Sequence, residues 1–279
     1  MTTLPNFSFF KYNKRLSRII VLGCGGTGSH AVPNVIRLLL GIPKRLLPEI
    51  YLIDGDTVEH KNILRQNFIH IDLGQNKAEV LARRYSTAFG IPVSAVPEFS
   101  DNKNNILGQL IRGKNDICII GCVDSHNGRR HIRSTIRRFK KKDIIWIDSG
   151  NEEKAGQVVM GYRVQNPEDV IDLSEIPYNK TGLFSLPFVT DVYPEISKSK
   201  DKARSELSCD VLINVEPQAM MVNVTAANLI LNYYNALLYK TPLNNFGVTF
   251  SITNGFSSMI NNIENLSVIP NQELKDYEK

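Results

Sequence analysis

No apolar run of about 18 residues occurs anywhere in the 279-residue chain, which argues against a membrane-spanning helix. Cysteine is scarce: the four present, Cys24, Cys118, Cys122 and Cys209, are too few and too scattered for a disulfide framework. No two of them form a CxxC pair, so a four-cysteine zinc site is not expected and zinc is not among the anticipated cofactors. The opening residues Met1, Thr2, Thr3, Leu4, Pro5 and Asn6 lack a basic region followed by an apolar stretch, which predicts a cytoplasmic protein. Internal repeats are absent. The basic segment 129–142 has little aromatic interleaving, with Phe139 as the exception, so nucleic acid is not an expected partner. That segment, with Arg129, Arg130, Arg133, Arg137, Arg138, Lys140, Lys141 and Lys142, holds much of the net charge of +5. It reads as a solvated helix face or as a surface for an acidic partner.

What remains is an ordinary globular composition, 42% hydrophobic and 22% charged, in a chain long enough to bury a sizeable core. Short β-branched runs at 19–22, 50–53, 93–96, 117–123 and 144–147 alternate with helical patterns at 29–40, 76–88, 104–111 and 127–139. This alternation predicts an α/β fold with a Rossmann-like, mostly parallel sheet flanked by helices. Segment 157–164 is amphipathic enough for an antiparallel strand, 222–238 reads as a long buried helix, and 247–253 and 257–261 as closing strands. Residues 149–151 read as a turn, and the proline-containing stretch 165–208 as a long connection. One domain is expected over 1–270, with a polar tail at 271–279.

Chemistry concentrates in 18–66. Gly23, Gly25 and Gly28 follow a strand and open a helix, the arrangement in which backbone amides approach phosphate. A glycine-rich structural turn would give the same spacing, and Gly26 already departs from a plain dehydrogenase loop. Asp54 ends the second strand, where a carboxylate accepts ribose hydroxyls; NAD would be served equally well. Asn62, Arg65, Gln66 and then Lys77 add donors that a pyrophosphate does not need and a triphosphate does. Asp124 stands past the strand at 117–123, either as a ligand at the sheet's carboxyl edge or as the cap of the next helix.

In order, the chain carries Gly-x-Gly-Gly-x-Gly-Ser, Asp-x-Asp-x-Val-Glu-x-x-Asn-x-x-Arg-Gln, a downstream Lys, and Asp-Ser-x-x-x-Arg after an apolar strand. This set resembles the ThiF/MoeB/HesA superfamily of adenylating enzymes, related to ubiquitin-activating enzyme. The resemblance is dense over 18–130 and looser to 238. It implies that Asp54 holds the ATP ribose, with Asp56 beside it in the same block. It also implies that Asn62, Arg65, Gln66 and Lys77 contact the phosphates, that Gly25 and Gly26 let the loop approach the nucleotide, and that Asp124 binds Mg²⁺. The implied reaction is adenylation of the C-terminal carboxylate of a small ubiquitin-like or sulfur-carrier protein. A later thioester at Cys209 and a conjugating enzyme are possible extensions, and a homodimer is expected. The apolar richness of 222–238 lends the dimer some support. Two departures stand out: the CxxC pairs of many relatives are missing, and only Arg15 and Arg18 could serve as the N-terminal arginine that reaches a partner's site. A catalytically inactive, nucleotide-binding scaffold and an NAD-dependent oxidoreductase are the alternatives.

Overall fold

The structure, a computed structural model, describes residues 14–163, 185–198, 217–241, 243, 245–253 and 255–260. Strand β1 (Arg18–Leu22) is buried along its whole length, as its unbroken Ile-Ile-Val-Leu run requires of a strand covered on both faces. It pairs in parallel with β2 (Glu49–Ile53) on one side and β4 (Ile117–Gly121) on the other. β3 (Ser94–Val96) continues the parallel sheet beyond β2, and β5 (Ile144–Asn151) beyond β4. β6 (Ala155–Arg163), β8 (Gly247–Ser251) and β9 (Phe256–Ile260) follow in antiparallel pairing, and β7 (Ser185–Leu186) joins β6. The order β3-β2-β1-β4-β5-β6-β8-β9 reverses between β1 and β4. A crevice opens at such a reversal, beyond the carboxyl ends of the strands. Register fixes what lies there: Leu22 pairs with both Ile53 and Gly121, so Gly23, Asp54 and Cys122 leave the sheet at one level.

Helix α1 (Gly26–Leu38) starts three residues earlier than the periodicity predicts and runs through Pro33. Proline has no N–H, so the Ser29 carbonyl one turn back loses its helical donor. Asn67 replaces it, donating from Nδ2 at 3.2 Å, while its backbone N–H donates to Ser29 Oγ at 2.9 Å. The interruption in the helix thereby fastens the turn after α2 (His60–Ile63) to the start of α1. Helix α3 (Lys77–Phe89) is capped by Asn76, which accepts from the Glu79 N–H, and ends on left-handed Gly90. Helices α4 (Ile106–Ile111) and α5 (His126–Arg137) flank β4.

The structure alters three expectations. The turn expected at 149–151 is strand: Ser149, Gly150 and Asn151 pair with Val158, Gln157 and Gly156, and the chain reverses only at 152–154. Of the connection 165–208, the described part 185–198 is packed. It forms β7, α6 (Val189–Val192) and α7 (Glu195–Lys198), and buries Leu186, Phe188 and Ile196. Its proline-broken sequence hides a local pattern in which Phe188 lies against Gly161 and sits 5.7 Å from Trp146 between ring centroids. The long helix appears as α8 (Pro217–Tyr239), packed on α1, β5 and β6. Buried Val222, Ala226, Ile230, Tyr234 and Leu237 account for its apolar character within a single chain, so that character says nothing about a dimer.

Candidate nucleotide site

The loop between β1 and α1 is shaped by two close approaches. Gly23 has φ +90°, and a Cβ there would lie 2.5 Å from the Cys122 carbonyl oxygen. Gly28 packs so tightly that a Cβ would meet the Gly23 oxygen at 1.9 Å, holding the first turn of α1 against the strand. Gly25 occupies the cap position without a side-chain bond, and the first turn contains no acid. The amides and positive dipole end of this 13-residue helix are thus left to an external anion.

Asp54 is buried beside that loop. Its Oδ2 accepts the Cys24 N–H at 2.6 Å and its Oδ1 the Asp56 N–H at 2.8 Å, which fixes the carboxylate's orientation. Burial pushes its carboxyl above the ordinary carboxylate range, while the two N–H bonds and the nearby Lys77 charge pull the other way. Lys77 opens α3, is 5% exposed, and places Nζ 3.1 Å from Asp56 Oδ2. Asp56 therefore acts in this structure by holding the lysine. Asn62 is buried, accepts the Glu59 N–H at 2.9 Å, and takes the Gln66 N–H on its carbonyl at 2.8 Å. Gln66 is 8% exposed and lies against the loop, its Nε2 3.8 Å from where a Gly25 Cβ would sit. Its Oε1 and the neighbouring Arg65 Nε are buried without a hydrogen-bond partner among the described residues. Buried polar atoms are ordinarily hydrogen-bonded, so two such atoms on adjacent residues call for a polar partner.

Asp124 lies just past β4 and is exposed at the same carboxyl edge. Capping of α5 falls to Ser125, which accepts the Gly128 N–H at 3.1 Å, so capping does not explain Asp124. Arg129 from the same motif turns inward. Its Nε meets Asp148 Oδ2 at 2.7 Å, and its Nη2 donates to the Ser149 and Val123 carbonyls at 2.7 and 3.0 Å. Asp148 is buried, and desolvation pushes its carboxyl up to about 6 despite the guanidinium.

On the other flank of the loop, Asn151 Nδ2 donates to Thr27 Oγ1 at 2.7 Å and to Asn223 Oδ1 at 3.0 Å. Asn223, on α8, covers Gly26, where a Cβ would fall 2.7 Å from its Nδ2. Sequence reasoning missed this contact and the Asn67 clasp; a proline inside a predicted helix is the signal that could have suggested the second. Arg15 and Arg18 lie at the amino end of β1, away from the glycine loop; Arg15 reaches the Arg45 carbonyl at 3.5 Å and Arg18 pairs with Glu49. Cys24, Cys118 and Cys122 are free thiols pushed up by burial, Cys122 to about 12, which disfavours the nucleophilic thiolate. Cys209 lies outside the described residues.

The sequence model of the ThiF family matches residues 10–267. The chain belongs to the ThiF family. Among solved structures, PaaA aligns with a TM-score of 0.54 and 17% identity, covering 87% of this chain and 71% of PaaA. MccB of E. coli, the Microcin C7 biosynthetic enzyme, solved with AMPCPP and MccA, aligns with a TM-score of 0.52 and 20% identity over 87% of this chain. This ThiF-family chain spans only 63% of that MccB chain. These likenesses establish the fold. A 4-hydroxy-3-methylbut-2-enyl diphosphate reductase of Chlamydia pneumoniae is 25% identical over 112 residues, 39% of this chain and 36% of the reductase. A match of that extent assigns no activity.

Proposed function

We propose that this protein catalyses ATP- and Mg²⁺-dependent adenylation of the C-terminal carboxylate of a small ubiquitin-like protein, sulfur carrier or peptide. The observation that carries the reading is that Asp54 and Gln66 lie against the loop at the uncapped start of α1, with buried Lys77 held on Asp56 beside them and with Gln66 Oε1 and Arg65 Nε buried and unpaired among the described residues. In this reading the Asp54 carboxylate accepts the ribose hydroxyls, and the α1 amides with Gln66 hold phosphate oxygens. Arg65 and Lys77 neutralise the pyrophosphate as it departs. A carboxylate oxygen of the substrate attacks the α-phosphorus, the bond between the α- and β-phosphates breaks, and acyl-adenylate and pyrophosphate result. Orientation and charge stabilisation suffice for this step, and no general base is required.

Among the described residues no three His, Cys, Asp or Glu side chains gather into a metal cage. Magnesium fits the donors present nonetheless, because it is commonly held by one or two carboxylates, waters and the phosphates themselves. Asp124 would be its protein ligand, and the ion would supply neutralisation of phosphate charge. MccB is solved in complex with N-formylated MccA, which supports a separate partner molecule as the substrate here. Transfer to Cys209 as a thioester, a conjugating enzyme and a homodimer are parts of the same proposal.

The test is exchange of labelled pyrophosphate into ATP by the purified protein with candidate carriers and carboxyl-terminal peptides. Asp124→Ala abolishes exchange if the magnesium assignment holds, and unchanged exchange in that variant rejects it.

A further inference from the structure

Phe99 follows the end of β3 by three residues, at the carboxyl edge of the sheet. The strand end beside it is tied to the site, since the Asp54 N–H donates to the Val96 carbonyl at 3.2 Å. The ring lies over Gly55, its Cδ2 2.5 Å from where a Gly55 Cβ would stand, and Gly55 is the residue after Asp54. Yet the ring is 57% exposed, and Phe99 belongs neither to the hydrophobic core of the described residues nor to the side chains packed against it. The chain that carries it is held by hydrogen bonds. Asn104 Nδ2 holds the Phe99 carbonyl at 2.6 Å. The next residue, Ser100, takes the Leu107 N–H on its Oγ at 2.9 Å and bonds His131 Nε2 at 2.9 Å. These bonds hold the backbone at Phe99 and Ser100, and the exposed ring stands over Gly55, next to the carboxylate assigned to the ribose.

We propose that Phe99 is the shelf on which the nucleobase stacks, which rests on the reading of Asp54 as the ribose acceptor. A base attached to a ribose held by Asp54 leaves that sugar on the side away from the phosphates, and Phe99 is the exposed aromatic beside Asp54. The shelf supplies a π face and apolar contact to the base, and it has no part in the chemistry at phosphorus.

The experiment is equilibrium binding to the full chain of two probes in magnesium-containing buffer, ATP and inorganic tripolyphosphate, which has neither sugar nor base. Phe99→Leu keeps an apolar cover over Gly55 and removes the ring, so ATP affinity falls about tenfold while tripolyphosphate affinity holds. Phe99→Tyr restores ATP affinity to within about twofold of wild type, since its ring offers the same face. Wild-type ATP binding that Phe99→Leu leaves within about twofold overturns the shelf. An equal loss for both probes also overturns it, because that pattern belongs to damage of the loop. Failure of the wild-type chain to bind ATP rejects the adenylation reading, and the shelf with it, and is told apart by being seen before any substitution.

Discussion

The turn from Asp54 to Lys77 and the helix α5 are both dense in charge, and they spend it on different tasks. In the first, Asp54 accepts the Cys24 N–H of the glycine loop, Gln66 lies against Gly25, and Lys77 is held by Asp56, so neighbouring groups orient these side chains without exhausting them. In the second, the basic residues are struts. Arg129 clamps Asp148, Arg130 holds the Ile196 carbonyl at 2.7 Å, and Arg133 pairs with Asp191 at 2.7 Å while lying 4.8 Å over the Phe188 ring. Two of the cations in what reads as a basic face, Arg130 and Arg133, thus fasten 185–198 to the body of the protein. A run of cations of one sign says little about ligands until the acids and carbonyls around it are placed.

The sharpest way to break this contrast is to remove Arg129. Arg129→Ala leaves the Asp148 carboxylate, 1% exposed, without its counter-charge, and costs about 3–5 kcal/mol of stability. Thermal melting would show it, and a near-neutral result would mean that Asp148 folds protonated. Lys77→Met is the corresponding cut in the crevice. Its partner Asp56 has a side chain 29% exposed and can be rehydrated, so melting changes little while affinity for ATP falls by about 1.5–3 kcal/mol, read by calorimetry. Equal damage to stability and binding in this variant would erase the distinction between strut and ligand group.

The smallest effect concerns pH. His131 on α5 is buried with Ser100 and Asn102, and burial lowers its pKa from 6.5. A base whose folded pKa is depressed contributes stability that is present above its unfolded value and lost as pH falls through the folded one. Nearby Asp101 favours the charged form and Arg138 opposes it, without reversing the direction. The melting temperature of the wild type therefore drops between about pH 7.5 and 5.5, and His131→Gln shows a shallower drop. Some slope remains, because burial also lowers His30, whose ring bonds the Arg65 carbonyl at 3.2 Å.

Much of the parallel half was legible before any coordinates. Uniformly apolar β-branched strands, glycines at a strand end and the helical pattern at 76–88 are local signals, and they placed β1, β2, β4 and α3. The part that was not legible involves partners far apart in sequence. Nothing near Pro33 reveals that Asn67 will answer for its missing N–H, and nothing near Gly26 reveals that Asn223 will cover it. Residues 149–151 looked like a turn because Ser-Gly-Asn favours turns locally, and the pairing offered by β6 outweighs that preference.

By itself, then, the sequence determined the α/β class, the family motifs and the residue types collected at the carboxyl edge, because periodicity and spacing are written in neighbouring residues. Tertiary structure decided which charges face the crevice and which are consumed as struts. It also decided that α8 buries Val222, Ala226, Ile230, Tyr234 and Leu237 inside one chain and that Phe99 stands exposed beside Asp54. Each of these depends on which groups meet across the sheet, and burial and counter-charge exist only once the chain has folded.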